Sequence, residues 1–349
     1  MISYSVYPPD EGIIIANHQE TRRSGHLGHA LVEYAPGCLL AFYSNCAGSR
    51  CEGHSGFGWM EYRRSLDSGE SWGDPYVLKY SVDTFLDGLY TISCEKAVVT
   101  ESGVIVLVLL VNGCNPHWEP FYEPLVIRSF DGGYNWTEPA RLSDYRGRVY
   151  DMKYRNGEIL ALHFCNPADV HFTGNAPEHQ YRLYASKDGE VWEERSVVPF
   201  DTQGRGYGAI EILPNGRLAA YAYNIKDEYN LDLCVSADGG RTWEKRDAIY
   251  LDKRIRNPQV SKANGRYFLH GRSGCEEHDM PSDFVLYASE DGIHFDEGNY
   301  IRITPERGNG AAGYYSNSIP VGDRLLIQYS LPYDRNRTNV CHTWIEDIR

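Results

Sequence analysis

Two kinds of short run recur along this chain. In one, apolar and polar residues alternate; in the other, β-branched and aromatic residues crowd together. "GHALVEYAPGCLLAFYS", "CEKAVVTESGVIVLVLLV", "VYDMKYRNGEILALHF" and "GAIEILPNGRLAAYAY" each hold two such runs separated by a Gly, Asn, Pro or Ser turn. "PQVSKANGRYFLHG" and "SNSIPVGDRLLIQYS" repeat the arrangement further on. Period-two patterning bounded by turn residues predicts antiparallel strand pairs, and no sustained 3.6-residue periodicity competes with it. The chain therefore reads as all-β with few helices.

A second pattern follows the first at regular intervals. "SLDSGESWGDP" starts at Ser65 and returns as "SFDGGYNWTEP", "SKDGEVWEE", "SADGGRTWEKR" and "SEDGIHFDEG". The shared aspartates are Asp67, Asp131, Asp188, Asp238 and Asp291, 50 to 64 residues apart. Each copy sits between two strand-like runs, for example after "PLVIR" or "DFVLYA". Ser and Asp side chains hold tight turns by bonding nearby backbone N–H groups, and glycine supplies positive φ. The aromatic residue is expected to tuck under the turn and fill the space between neighbouring sheets. The motif thus reads as a hairpin staple with no catalytic role.

Strand pair, third strand, staple and fourth strand make one unit. Five stapled units and a final unit without the staple, ending in "NVCHTWIED", predict a six-bladed β-propeller with four antiparallel strands per blade. The last unit lacks a local fourth strand, so the N-terminal segment around Ile13 to Ala16 is expected to supply it and close the ring. Residues 1–349 read as one domain, with no Pro-, Gly- or Ser-rich linker.

Composition narrows the function. Net charge is −14 and no Lys/Arg run occurs, which argues against nucleic-acid binding. The most apolar run, "GVIVLVLLVNG", is too short to span a bilayer and reads as a buried strand. Nine cysteines without framework spacing, and no export signal, point to reduced thiols and a cytoplasmic location. Tyrosine, at 27 copies, suits half-buried strand faces and sugar-binding surfaces alike. Cys46, Cys51 and His54 form a C-x4-C-x2-H pattern that lacks a fourth ligand, so no metal and no cofactor is expected. There is no P-loop, no dinucleotide fingerprint and no nucleophile elbow.

The five staples resemble the Asp-boxes of the sialidase superfamily, and the resemblance covers nearly the whole chain. That family grips a substrate carboxylate with an arginine triad and uses a tyrosine nucleophile, a glutamate that activates it, and an aspartate acid/base. The tyrosine, followed by serine at the start of the last blade, matches Tyr315 in "GYYSNSIPVGDRLLIQY". The glutamate position at the fourth blade falls on Tyr207, the next arginine on Tyr223 and the first-blade arginine on Leu27. The loop "NCAGSRCEGHSGFG" holds no aspartate. The resemblance therefore implies a sialidase-like propeller that diverges from true sialidases at the catalytic positions.

In a propeller the innermost strands ring one axial pocket. Counting along each blade nominates Cys94 or Glu95, Arg148, Tyr207, Arg256 and Tyr315, with His26 and His29 from the first blade. Arg148 and Arg256 would grip an anionic group, or else pair with acids on neighbouring blades. Glu95, Asp151 and Glu211 are candidate general acids or bases, the alternative being structural salt bridges. His26, His29 and His54 cluster around the first blade. Trp118, with Phe121 and Tyr122 in "NPHWEPFYEP", would form a sugar-stacking wall or pack between blades. Two more long loops, "NPADVHFTGNAPEHQ" and "SGCEEHDMPS", are expected over the same face.

These readings converge on an exo-acting glycoside hydrolase. Its partner would be an anionic oligosaccharide substrate, with Tyr315, Glu95, Asp151, Glu211 and His29 catalytic. Arg148, Tyr207, Arg256, His26, His54 and Trp118 would bind substrate. A uronate lyase with His29 or Tyr315 as base, and a non-catalytic glycan-binding propeller, are the rival expectations.

Overall fold

A computed structural model describes residues 2–50, 55–118, 121–166, 179–273, 283–303 and 313–349. It holds six antiparallel sheets arranged as a six-bladed β-propeller. From the axis outward, blade 1 contains Ala30–Ala35, Cys38–Cys46, Gly58–Ser65 and Tyr76–Val77. Blade 2 contains Tyr90–Val99, Ile105–Gly113, Leu125–Ser129 and Ala140–Arg141. Blades 3, 4 and 5 begin with the inner strands Arg146–Arg155, Arg205–Ile212 and Arg256–Ala263, and each runs outward through three more strands in chain order. Blade 6 contains Ser316–Val321, Arg324–Asp334 and Arg337–Glu346. Inner strands of successive blades lie side by side around the axis.

Ring closure follows the expectation and extends it. Ile13–Ala16 pairs antiparallel with Arg337–Glu346 through Ile13–His342 and Ile14–Cys341. A second short strand, Ser5–Tyr7, pairs further along the same partner, Tyr7 opposite Trp344. Two N-terminal pieces, separated by a proline-containing bend, thus share the outer edge of blade 6. One helix, Lys79–Leu86, was not apparent in the sequence, because eight residues are too few to show helical periodicity. It docks on blade 1, where Ser81 Oγ accepts the Met60 N–H at 3.0 Å.

The repeated turns are built as their residue types require. In blade 2, Ser129 Oγ donates to Asp131 at 2.9 Å and accepts the Gly133 N–H at 2.8 Å. Asp131 Oδ1 also accepts the N–H groups of Asn135 and Tyr134 at 2.9 and 3.1 Å. These donors, the Asn135 backbone first, draw the exposed Asp131 carboxyl down to about 2. The turn faces the preceding blade. Tyr62 OH of blade 1 donates to the Gly133 carbonyl at 2.8 Å, and Trp136 packs edge-on against Phe42 of the same blade. The contact recurs where Ser196 reaches the Gly240 carbonyl and Tyr221 the Gly292 carbonyl, at 2.5 and 2.7 Å. Gly133 has φ 87°, and a Cβ there would lie 2.5 Å from Leu40 Cδ1. Glycine is needed both for its backbone and for its lack of a side chain.

Two outcomes follow. Gly133→Ala combines left-handed strain with overpacking against Leu40. It is expected to cost about 2–5 kcal/mol, read as a lower denaturant midpoint with an unchanged slope. Removing residues 1–17 exposes the outer edge of Arg337–Glu346 and is expected to abolish cooperative thermal unfolding; a truncated protein with full thermal stability would contradict the closure.

Candidate functional site

The site grows out of irregularities in the inner strands. Register shifts fall between Cys94 and Lys96, Val149 and Asp151, Gly206 and Gly208, and Arg256 and Gln259. The extra residues are Glu95, Tyr150, Tyr207 and the Asn257–Pro258 pair. A bulge inserts a residue into one strand only and re-aims its side chain. Here Glu95, Tyr150, Tyr207 and Asn257 all line a single axial cavity, with His29 and Tyr315 contributed by the blades on either side of the ring closure. Tyr207 and Asn257 hold φ values of 51° and 53°, and Tyr314, which precedes Tyr315, holds 63°. Left-handed backbone at non-glycine residues carries strain that the surrounding packing must sustain, and such strain gathers at functional sites. The cavity measures about 40 Å³.

A buried ion pair dominates its electrostatics. Arg148 donates through Nε to Glu95 Oε1 at 2.8 Å and through Nη2 to Oε2 at 3.2 Å, with both side chains under 7% exposed. Burial pushes the Glu95 carboxyl up, and the Arg148 charge opposes it without cancelling it. The Arg148 guanidinium also lies 5.2 to 5.6 Å from the ring centres of Tyr150, Phe121 and Tyr207. Burial drives the Tyr207 phenol well up, and Tyr315 adds to the effect while Arg148 opposes it. On the other side, the Arg272 guanidinium stands 4.1 Å over the Tyr315 ring. Trp118 Nε1 donates to His26 Nε2 at 2.8 Å, and the His26 ring meets Tyr315 edge-on at 6.0 Å. Trp118 and Phe121 are buried in the same hydrophobic cluster as Tyr315. They build the wall from behind.

Asp151 and Glu211 occupy a different compartment. They line a channel of about 440 Å³ with Lys153 and Lys262, and Lys96 touches both this space and the axial cavity. Asp151 lies 3.6 Å from Lys96 and 3.8 Å from Lys153, and accepts the N–H groups of Met152 and Ile210. Glu211 pairs with Lys153 at 3.0 Å and accepts the Ile212 N–H at 2.8 Å. Lys96 also bonds Gln259. This lysine–carboxylate cluster closes the floor of the axial cavity.

Arg256 turns to Glu228, which also holds Arg254 at 2.7 Å. Arg256 still acts electrostatically on Tyr315, and Arg272, one strand further out on blade 5, stands over the Tyr315 ring. Sequence reasoning missed Arg272 because the count followed inner strands alone. It missed Tyr150, Asn257 and Gln259 because strict alternation hides residues that a bulge redirects. His54 and Cys51 lie outside the described residues, as do the long loops over 167–178 and 274–282. Among the described residues no group of three or more His, Cys, Asp or Glu is placed to hold a metal ion, and no helix is long and apolar enough to cross a membrane.

No known family profile matches the sequence, and no curated protein does. Solved structures do. The Hadza microbial sialidase Hz136 superposes with a TM-score of 0.68 at 15% identity over 95% of this chain and 68% of that one. Trypanosoma rangeli sialidase in complex with sialic acid gives 0.64 at 13% over 99% of this chain and 58% of that one. Penicillium chrysogenum alpha-L-arabinanase complexed with arabinobiose gives 0.60 at 13% over 98% and 97%. The likeness is one of fold: this chain is a six-bladed β-propeller, similar in architecture to these structures.

The Glu95–Arg148 pair has a measurable signature. Glu95→Ala alone leaves a buried guanidinium unpaired and is expected to cost about 3–5 kcal/mol. The double variant Glu95→Leu/Arg148→Met is expected to recover most of that stability, as read by denaturant unfolding.

Proposed function

We propose that this protein is a glycoside hydrolase that acts at the end of an oligosaccharide bearing an acidic sugar, with Tyr315 as nucleophile. The observation that carries the reading is Tyr315 in the axial cavity under the Arg272 guanidinium. A cation over the ring stabilises negative charge developing on the phenolic oxygen, and so favours attack. The carboxylates support tyrosine chemistry by their engagement elsewhere. Glu95 is clamped by Arg148, and Asp151 and Glu211 are held by lysines beyond the floor. The five serine–aspartate turns fit the Asp-boxes of the sialidase superfamily, with Tyr207 and Leu27 in the axial cavity marking divergence from true sialidases.

The substrate class rests on charge and shape. At the cavity Glu95 holds Arg148 and Asp151 holds Lys96, while a further guanidinium, that of Arg272, stands over Tyr315. That balance favours an anionic group. A floor closed by the lysine–carboxylate cluster suits a terminal sugar better than a chain threading through, which supports exo-action. In the reaction, the Tyr315 oxygen bonds to the anomeric carbon as the glycosidic bond breaks, the phenolic proton leaves, and the departing oxygen takes up a proton. Water then releases the sugar from Tyr315 and restores its phenol.

The test is a panel of acidic-sugar-terminated oligosaccharides and polyuronates, followed by product analysis. A released terminal monosaccharide without an unsaturated product is expected. Tyr315→Phe is expected to lower kcat/KM by roughly 10²- to 10⁴-fold with an unchanged Tm. An unsaturated uronate product would favour elimination instead. Tight binding without turnover would make the propeller a glycan-binding module.

A further inference from the structure

We infer that Ser316 offers the ligand of the axial cavity a hydroxyl oxygen and not a proton, because His270, on the second strand of blade 5, takes the Ser316 proton. Ser316 thus selects a hydrogen-bond donor, a sugar hydroxyl or an amide N–H, and His270 is the residue that positions it. The inference depends on the proposed function for the ligand being a sugar; the direction of the hydrogen bonds stands apart from it.

Ser316 opens the inner strand of blade 6, directly after Tyr315, and lines the axial cavity half-buried. Its Oγ lies 3.0 Å from His270 Nδ1. His270 is wholly buried, and its Nε2 lies 2.7 Å from Ser318 Oγ, two residues further along the same strand. Both ring nitrogens face hydroxyls, and reversing the ring would set carbons against them. Ser318 in turn meets Ser261 on the inner strand of blade 5. The four residues form one hydrogen-bonded chain across the seam between blades 5 and 6.

The far end of the chain fixes its direction. The Ser318 hydroxyl donates to Ser261 Oγ at 2.8 Å, and the Ser261 hydroxyl donates to the Ser318 carbonyl at 3.2 Å. With its single proton committed, Ser318 Oγ can only accept from His270. The ring proton is therefore on Nε2, and the Nδ1 lone pair accepts the Ser316 hydroxyl. A hydroxyl oxygen that has given its proton away still has lone pairs with which to accept. A serine donating to a histidine is also the arrangement of a nucleophile and its base, but that base must carry a proton during the reaction. Burial, with Lys96 and Lys153 adding to it, pushes the His270 imidazole down to about 3, and Nε2 faces the Ser318 hydroxyl in place of a carboxylate. The ring stays neutral, so the pair orients Ser316 without activating it for attack.

The ring nitrogens of His270 report the direction of the chain. Protein labelled with 15N-histidine is examined by long-range 1H–15N correlation between pH 5 and 8, with His270→Gln to assign the signals. Should that variant not fold, correlation from the His270 backbone assigns them instead. A neutral ring protonated at Nε2 is expected throughout; protonation at Nδ1, or a charged ring, overturns the inference. Ser316→Ala is expected to move the Nδ1 resonance toward that of an unbonded lone pair and to leave the proton on Nε2. An unmoved Nδ1 resonance overturns the Ser316 contact.

Glucuronate and N-acetylneuraminate then test what Ser316 recognises. For a probe that binds, Ser316→Ala is expected to lower affinity roughly 3- to 10-fold, and Ser316→Thr, which keeps the hydroxyl, to restore most of it. Binding is expected to leave Nδ1 hydrogen-bonded. Release of Nδ1 on binding shows Ser316 donating to the ligand and overturns the acceptor role, as does an unchanged affinity in Ser316→Ala. If neither acid binds, the acidic-sugar reading fails, and methyl glycosides of neutral sugars, which carry the same hydroxyl donors, enter the same comparison. Binding by no probe overturns the ligand role of Ser316 and leaves the His270 tautomer standing.

Discussion

The structure depends on the packing of one blade's face against the next. A four-stranded sheet buries little alone, since both its faces are apolar and only neighbours can cover them. Clusters such as Ala30, Leu40, Phe42, Ile92 and Leu107 span two blades, and so do those holding Leu183 and Leu218. The serine–aspartate turns extend this contact to the rim, where Gly133 meets Leu40 and Tyr62. The face of blade 6 is completed only when Ser5–Tyr7 and Ile13–Ala16 return to its edge. Every part of the ring therefore relies on its closure.

Closure brings six inner strands together around an axis too narrow to leave empty and too crowded to be wholly apolar. The protein divides that space. At one end, bulges lift Glu95, Tyr150, Tyr207 and Asn257 out of the strand pattern toward a small cavity. At the other, Lys96, Lys153, Asp151 and Glu211 neutralise one another and seal the floor. Buried charges persist only when paired and hydrogen-bonded, and here the pairs run between blades. These pairs keep Asp151 and Glu211 away from the axial cavity and clamp Glu95 within it.

What is left at that end is aromatic and cationic. Tyr150 and Tyr207 flank the guanidinium that Glu95 holds, a second guanidinium stands over Tyr315, and the His29 imidazole lines the same cavity. This arrangement favours chemistry at a phenolic oxygen over paired-carboxylate catalysis.

The all-β class, the six repeating units, the staple turns and the return of the N-terminal segment were legible in the residues themselves. Each rests on local chemistry: alternation, turn residues, and an aromatic four or five residues after the turn aspartate. Tyr315, Glu95, Arg148, Tyr207 and His29 were reachable by counting from the turn glycines, because the blades repeat. The tertiary structure alone decided that Asp151 and Glu211 face the far compartment, that Arg256 turns to Glu228, and that Arg272 stands over Tyr315. It also decided that Gln328, 299 residues away in the chain, meets the His29 ring. A bulge shifts which face a side chain takes without leaving a reliable mark in composition. Pairings across blades join residues that only ring closure brings together, so neither kind of fact is written in any short stretch of the chain.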